Sequence, residues 1–572
     1  MKNFTDLKKN LKKNFSDLIT IKIAVLGDNA TQLLTQALKG LGFEYEYNLE
    51  IFEADYNQIE RQVYDQSSDL YQFKPEIVII FKSSNKLLLK YNKSNPEDYT
   101  SFASNELEIL QSLYATINNN IETNIILYNH AEIDDAIFGS FSNKQESSFL
   151  FQLRKLNYEL MLLSTRNSNL FICDLSSIQN QIGRSFFFQP SIYVNTDMVL
   201  TIDVLPYVAQ RTLDIIRSLK GKIKKCIIID LDNTTWGGVI GDDGLHNIQL
   251  GDLGIGKAFT DFQYWIKKLK NRGIIVAVCS KNTESIAKEP FVKHPEMILR
   301  LEDISVFKAN WNNKADNIRE IQSILNIGFD SMVFLDDNPF ERNMVRENID
   351  EIYVPELPED PSNYLEFLYS LNLFETSSYS EEDKERTKLY QIEAKREQVY
   401  KNFTNVDDFL RNLEMKSKIE PFNKFNTPRV AQLSQRSNQF NLRTIRYTES
   451  DISRMSNSNE FETFAFSLED RFGDNGLICV VILKKENKTT LFIDTWFMSC
   501  RVLKRGMENF VMNILVEFAI DNGFNKIIGE YIPTSKNEMV KEHYIDLGFE
   551  KYQNQFLLNI NKYKKLKTFI KK

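Results

Sequence analysis

The sequence predicts an α/β protein of several domains built around parallel sheets. At 572 residues the chain is too long for one hydrophobic core, and 42% hydrophobic with 26% charged residues is the composition of a globular protein. Apolar runs of strand length alternate with longer helical stretches, a pattern typical of parallel strands joined by crossover helices. We therefore expect α/β domains at 1–220, 221–375 and 402–572, with a helical linker at 376–401.

Composition also excludes several classes of protein. The formal net charge of −8 argues against a nucleic-acid partner, because nucleic-acid binders usually present a basic face. No apolar run approaches the roughly 18 residues of a membrane span, so we expect no membrane contact and a cytoplasmic location. The five cysteines are scattered without a CxxC pair, so any metal should be held by carboxylate oxygens.

In the first domain, four apolar runs predict the strands of one parallel sheet, at 21–27, 75–81, 124–130 and 169–175. An amphipathic segment at about 207–222 predicts the helix that ends this domain.

In the last domain, a mixed sheet and a helix at about 506–521 are predicted by strand-like segments at 461–470, 476–485 and 489–500. The strongly charged segment 380–401, which precedes this domain, predicts a solvated helix.

The central domain carries the residues with the clearest chemistry. Its predicted strands lie at 226–229, 273–280 and 331–337, and between the first two a glycine-bearing segment predicts a β-hairpin flap over residues 234–250. The carboxyl ends of parallel strands meet at one edge of a sheet, which predicts a single site formed by Asp230, Asp232, Ser280, Asp336 and Asp337.

The acids at this edge fit phosphoryl-transfer chemistry. A carboxylate can attack phosphorus, and a second carboxylate nearby can act as general acid and then as general base. Side chains two residues apart along a strand point to the same side, as Asp230 and Asp232 do. Mg²⁺ prefers an octahedron of oxygen atoms, which carboxylates, water and phosphate would supply together.

These motifs resemble those of the haloacid dehalogenase superfamily, whose Rossmann-like domain carries DLDNT at 230–234 in this chain. The resemblance implies that Asp230 is the nucleophile and that Asp232 is the general acid/base, with its backbone carbonyl on the metal. It further implies phosphate binding by Thr234, Ser280 and Lys314, and a Mg²⁺ site completed by Asp336 and Asp337. Lys308 is an alternative to Lys314, which is favoured because it opens a helical run.

Longer phrases, DLDNTTWGGVIGDDG, VCSKN, HPEMILRLEDI and VFLDDNPFERNMVRENI, resemble the FkbH-like branch, subfamily IIIC of that superfamily. Such proteins take 1,3-bisphosphoglycerate, a phosphorylated three-carbon acid, and remove its phosphates. They pass the glyceryl group through a cysteine thioester to the phosphopantetheine arm of an acyl carrier protein in polyketide assembly. The resemblance gives Cys279 a possible acyl-carrying role, although its side chain should face away from that of Ser280.

The flanking domains carry two further resemblances. The first domain is similar to the SGNH-hydrolase-like module, but Asn29 stands where a hydrolase has its serine, so a non-catalytic role is expected. The last domain resembles the GNAT acyltransferase fold. Helix-start amides there would bind a pantetheine phosphate, together with Arg501, Lys504, Arg505 and Gly506.

Two other functions remain open at this point. One is a stand-alone phosphatase of a small phosphomonoester, which would use the same aspartates without Cys279. The other, of a different class, is a scaffold that binds carrier proteins, against which the complete set of clustered acids argues.

Overall fold

The computed structural model describes residues 2–400, 403–534 and 536–572. The chain divides into two compact units, Met1–Arg217 and Ser218–Lys572. The regions expected to be a central domain, a linker and a last domain thus lie in one unit. Lys401, the last residue of the expected linker, and Asn402 lie outside the described residues.

The first unit contains a parallel sheet with the strand order β2-β1-β3-β4-β5 among the described residues. Its strands are β1 (Ile19–Gly27), β2 (Tyr47–Glu53), β3 (Ile77–Phe81), β4 (Asn124–Tyr128) and β5 (Leu170–Cys173). All four predicted strands are present. Strand β2 was missed because its polar, acidic residues alternate with apolar ones, as befits a strand at the edge of a sheet.

The helices of this part of the chain connect the strands and cover the sheet. They are α1 (Phe4–Asn10), α2 (Gln32–Glu44), α3 (Ile59–Tyr64), α4 (Asp69–Phe73), α5 (Ser84–Lys93), α6 (Phe102–Asn120), α7 (Phe149–Arg166), α8 (Leu175–Ile182), α9 (Arg184–Phe187), α10 (Pro190–Thr196) and α11 (Leu205–Leu219).

The second unit begins with a parallel sheet in the order β8-β7-β6-β9. Its strands are β6 (Cys226–Ile229), β7 (Ile275–Ser280), β8 (Val306–Ala309) and β9 (Met332–Leu335). The helices around it are α12 (Ile240–Asp243), α13 (Ile255–Asn271), α14 (Glu284–Lys293), α15 (Lys314–Leu325), α16 (Pro339–Asn348) and α17 (Tyr364–Leu371). The Rossmann-like α/β class expected for this region is confirmed.

The C-terminal part has a mixed sheet in the order β10-β11-β12-β13-β14-β16-β15, in which only β13 and β14 are parallel neighbours among the described residues. Its strands are β10 (Ile419–Glu420), β11 (Phe461–Asp470), β12 (Gly473–Asn487), β13 (Thr490–Met498), β14 (Lys526–Gly529), β15 (Glu550–Tyr552) and β16 (Gln555–Asn559). The helices are α18 (Arg386–Tyr400), α19 (Val406–Asn412), α20 (Thr427–Arg436), α21 (Glu449–Ser456), α22 (Met507–Asp521) and α23 (His543–Asp546).

Helix α18 is not the solvated helix that its charge predicted. Tyr390 is 8% exposed and lies in the apolar cluster beneath the central sheet, together with Ile318. Arg396 is also buried, and its Nε lies 2.9 Å from Oδ2 of Asp470 in the C-terminal sheet. The prediction was wrong because a buried ion pair can hold charged residues inside a protein when the partner comes from a distant segment.

The segment 234–250 does not form the predicted β-hairpin. It contains the short helix α12 and is closed by a single antiparallel bridge between Gly237 and Gln249. The backbone amide of Ile240 donates to Oδ1 of Asp232 at 3.0 Å, which draws the segment back over the strand end. The first residue of α12 thus supplies one of the hydrogen bonds to Asp232.

Within the described ranges, no helix combines the length and the apolar character needed to cross a bilayer.

Candidate active site

Three acids meet at the carboxyl edge of the central sheet. Ile229 pairs with Leu335 between the neighbouring strands β6 and β9, so the residues that follow them, Asp230 and Asp336, lie side by side. One carboxylate oxygen from each of Asp230, Asp336 and Asp337 lies within 4.8 Å of the others. Such a concentration of oxygen ligands fits a divalent cation such as Mg²⁺.

Lys314 lies between two of these acids. It is the first residue of α15, whose N-cap is Asn313, and its Nζ lies 3.1 Å from Oδ1 of Asp230 and 2.5 Å from Oδ2 of Asp336. Burial alone would lower the pKa of Lys314, but the two carboxylates together raise it. Lys308, the alternative, lies in β8 and pairs with Glu320. The structure therefore brings Lys314, and not Lys308, to the acids.

The second acid of the pair, Asp232, is held by three hydrogen-bond donors. Oδ1 accepts from the indole of Trp236 at 2.9 Å and from the amide of Ile240 at 3.0 Å, while Oδ2 accepts from the side chain of Asn282 at 3.0 Å. Burial raises the pKa of Asp232, and the amide of Ile240 and the indole of Trp236 oppose that rise. A carboxyl group with a raised pKa and a fixed orientation suits proton transfer.

The roles of Trp236 and Asn282 were missed by sequence reasoning. Asn282 follows Ser280 by two residues, so the even spacing from a strand end was a usable signal. Trp236 gave no such signal, because its indole reaches Asp232 only through the turn at Asn233, which has a left-handed φ of 54°.

Ser280 and Cys279 face different surroundings. Ser280 is the last residue of β7 and is 1% exposed. Cys279 is fully buried in the apolar cluster between the sheet and α15, with its Sγ 3.7 Å from the carbonyl oxygen of Lys314. Burial raises the pKa of the Cys279 thiol although Lys314 opposes the rise. The thiol is thus packed as a core residue, and its raised pKa disfavours the thiolate.

Thr234 joins the first acidic motif to the last. Its hydroxyl donates to Oδ1 of Asp337 at 3.1 Å and accepts from the Asp337 amide at 3.0 Å. Burial raises the pKa of Asp337 and of Asp336, and the charge of Asp230 adds to both shifts. A nearby cation stabilises the charged form of crowded carboxylates whose pKa values are raised, which supports the fit to Mg²⁺.

The four residues expected to bind a pantetheine phosphate are not gathered into an open site. Arg505 is 5% exposed and forms ion pairs with Glu393 and Asp470, and Arg501 is 8% exposed. A phosphate would have to displace these carboxylates to reach Arg505. Lys504 is exposed, and Gly506 is the N-cap of α22.

In the first unit, the position expected for a serine nucleophile is closed. Asn29 is 3% exposed, and its side-chain amide donates to Oδ1 of Asp28 at 3.1 Å. Asp28 in turn accepts from the Ser83 amide, which ties this turn to the end of β3.

A Rossmann-like sheet with three clustered acids and a buried lysine at its carboxyl edge defines a domain of the haloacid dehalogenase type. The family model described as "FkbH, N-terminal domain" matches residues 22–217. A crystal structure of the N-terminal part of the protein BF1531 from Bacteroides fragilis, containing a phosphatase domain complexed with Mg, is 56% identical and covers 66% of this chain and 100% of its own, with a TM-score of 0.64. The chain belongs to the same family as BF1531, a family of FkbH-like proteins.

Two acetyltransferase structures are distant from this chain. Spermidine/spermine N-acetyltransferase SpeG from Vibrio cholerae is 12% identical, covering 26% of this chain and 96% of its own, with a TM-score of 0.21. The ribosomal-protein-S18-alanine N-acetyltransferase from Escherichia coli is also 12% identical, covering 25% of this chain and 94% of its own, with a TM-score of 0.21. No curated protein matches the chain.

Proposed function

We propose that this chain is a Mg²⁺-dependent phosphatase of the haloacid dehalogenase type, acting on a small phosphorylated acid. The observation that carries the proposal is the meeting of Asp230, Asp336 and Asp337 with Lys314 at one strand edge. The phosphatase domain of BF1531, complexed with Mg, supports the same chemistry in a 56% identical relative.

In the proposed first step, a carboxylate oxygen of Asp230 attacks phosphorus, and the bond from phosphorus to the leaving oxygen breaks. Asp232, held by Trp236 and Asn282, gives its proton to that oxygen. Lys314 and Ser280 bind the oxygens of the transferring group, whose charge they stabilise.

In the second step, water attacks the phosphorus of the aspartyl-phosphate, and Asp232 accepts the water's proton. Phosphate leaves and the Asp230 carboxylate is restored, so that the atoms and charges balance over the cycle. Asp230, Asp336 and Asp337 would hold Mg²⁺, with the backbone carbonyl of Asp232. The cation supplies positive charge that offsets the charge of the phosphoryl oxygens.

Release of phosphate should require the divalent cation. We expect the full chain to release inorganic phosphate from acyl phosphates or small phosphomonoesters in Mg²⁺, and to lose that activity in excess chelator. Adding Mg²⁺ back should restore it, because Lys314 still neutralises part of the acids' charge when the ion is removed. A colorimetric phosphate assay measures this. Equal turnover with and without chelator would refute the proposal.

A second candidate function adds glyceryl transfer to the phosphatase step. The match of residues 22–217 to the FkbH N-terminal domain favours it, because the resemblance to FkbH-like proteins implies the loading of an acyl carrier protein. In that reaction a cysteine thiolate attacks the acyl carbon of 1,3-bisphosphoglycerate, the carbon–oxygen bond to the 1-phosphate breaks, and a thioester forms. The phosphatase step hydrolyses the 3-phosphate, so that a glyceryl group remains on the cysteine. The carrier's pantetheine thiol then displaces the cysteine.

The transfer reaction predicts a covalent adduct. Incubation with 1,3-bisphosphoglycerate and Mg²⁺ should raise the intact mass by one glyceryl unit, and hydroxylamine should remove it. Cys279→Ala tests the thiol beside Ser280, and Cys500→Ala is the matched control, because Cys500 is the cysteine that the structure leaves partly exposed. If Cys279 carries the group, only Cys279→Ala loses the adduct. Phosphate release without an adduct in the wild type would favour the stand-alone phosphatase over the glyceryl transferase.

For the flanking regions we propose supporting roles. Residues 1–220 would be non-catalytic, given Asn29 at the nucleophile position. Residues 402–572 would offer Lys504, which is exposed, and the start of α22 to a carrier's phosphopantetheine arm. A pure scaffold remains the least supported alternative, because the crowded acids serve no purpose in it.

A further inference from the structure

A buried guanidinium lies behind the acidic pair. Arg342, in α16, is 5% exposed, and its Nη1 donates to the backbone carbonyl oxygens of Asp336 at 2.8 Å and Asp337 at 2.6 Å. Its Nε and Nη2 lie 3.0 and 2.9 Å from Oε2 of Glu356. Arg342 thus joins the backbone of both acids to a carboxylate on the other side.

These contacts fix the peptide groups that carry the two acids. Beyond Leu335 the chain has left β9, so no strand ladder orients the carbonyls of Asp336 and Asp337. Nη1 alone donates to both carbonyls, while Nε and Nη2 bind Glu356, so the ionic partner fixes the plane of the guanidinium. An ammonium has no such plane and would hold the two peptide groups less firmly. The direction of each carboxylate depends on its peptide plane, so the two contacts of Nη1 also influence where the carboxylates point.

Accordingly, we propose that Arg342 is a positioning residue for the cation site, which it orients through the carbonyls of Asp336 and Asp337 without touching the cation. The inference rests on the proposed function, since it assumes that these acids bind Mg²⁺. Groups that orient the ligands of a metal typically change its affinity by about 10–100-fold when they are removed.

Arg346 is a matched control in the same helix. Its Nε and Nη2 donate to the carbonyl oxygen of Val354 at 3.1 and 2.8 Å, and it also pairs with Glu356. Like Arg342, it lies in α16, pairs with Glu356 and binds a backbone carbonyl oxygen. Neither Asp336 nor Asp337 is among its partners in the described hydrogen bonds and ion pairs. Arg346→Lys therefore reports any general effect of losing a guanidinium there.

The experiment measures Mg²⁺ binding to the full chain by calorimetry, and metal-free stability by circular dichroism. We expect Arg342→Lys to bind Mg²⁺ about tenfold more weakly or worse, and Arg346→Lys to bind like the wild type. Equal affinities of Arg342→Lys and the wild type, or an equal loss in both variants, would overturn the inference. If Arg342→Lys does not fold, Glu356→Gln takes its place in the same measurement. We then expect a smaller loss of Mg²⁺ affinity, and unchanged Mg²⁺ affinity would overturn the inference.

Asp336→Asn separates this inference from the proposed function. If the wild type binds no Mg²⁺, or if Asp336→Asn binds as tightly as the wild type, the proposed metal site itself is wrong. If Asp336→Asn loses binding while Arg342→Lys keeps it, the site stands and only the role of Arg342 is refuted.

Discussion

Asp230→Asn should lower the rate of phosphate release by at least about a thousandfold, as expected when a group that acts as nucleophile is removed. The amide cannot attack phosphorus, and one carboxylate of the cation site is lost. The fold should survive, because Lys314 then faces one carboxylate, that of Asp336, instead of two. Phosphate release and the thermal midpoint of the variant are the measurements.

Asp242→Asn is the matched control for this substitution. Asp242 is an exposed acid in α12 of the same domain and is not part of the acid cluster. It should retain full activity. Wild-type turnover by Asp230→Asn would exclude Asp230 as the nucleophile, whatever the control does.

Lys314→Met should lower the turnover number by about 100-fold or more, the effect of losing one donor to developing negative charge. It should also destabilise the metal-free protein by about 3–5 kcal/mol, because the variant leaves buried carboxylates without their cation. Lys314 is only 3% exposed, so water cannot replace it. Denaturant unfolding in chelator measures the loss, which added Mg²⁺ should partly reverse.

The stability loss in Lys314→Met should depend on pH in a defined direction. Burial and the charge of Asp230 already raise the pKa of Asp336, and without Lys314 it rises further. A carboxyl group whose pKa is raised by folding favours the folded state when protonated, and this contribution disappears as the pH rises through the raised pKa. The variant should therefore be less destabilised near about pH 5 than near about pH 8.

Lys308→Met is the control for the loss of a lysine. Lys308 pairs with Glu320, and both side chains are partly exposed, at 26% and 55%. Such a pair contributes about 0–1 kcal/mol, so both activity and stability should stay close to those of the wild type. A pH-independent loss in Lys314→Met, equal to that of Lys308→Met, would contradict the assigned position of Lys314.

The parts of the fold that the sequence predicted are those set by local pattern. Buried parallel strands appear as continuous apolar runs, and Asp230 and Asp336 could be placed because they directly follow such runs. The edge strands β2 and β8 were missed because they are short or carry polar residues. The start of α15 at Lys314 could be predicted because the polar cap Asn313 precedes it.

The contacts that the sequence could not predict join segments far apart in the chain. Arg505 looked available to a phosphate, but it pairs with Asp470 and Glu393, which no local spacing indicates. The guanidinium of Arg342 binds backbone carbonyls. Every residue has a backbone carbonyl, so no residue type in the sequence indicates this contact. Alternation along β7 did indicate that Cys279 faces away from the site, and the structure places it in the core.

Helix α18 belongs physically to both halves of the second unit. Tyr390 fills the core beneath β7, while Arg396 is bound to the C-terminal sheet through Asp470. An evolutionary exchange of the C-terminal half at residue 376 would remove Tyr390 from the core of the phosphatase domain. An exchange after residue 400 would keep Glu393 beside Arg396 but remove Asp470. Recombination between relatives should therefore preserve α18 and both of its partners together, and the two halves should be inherited as a pair.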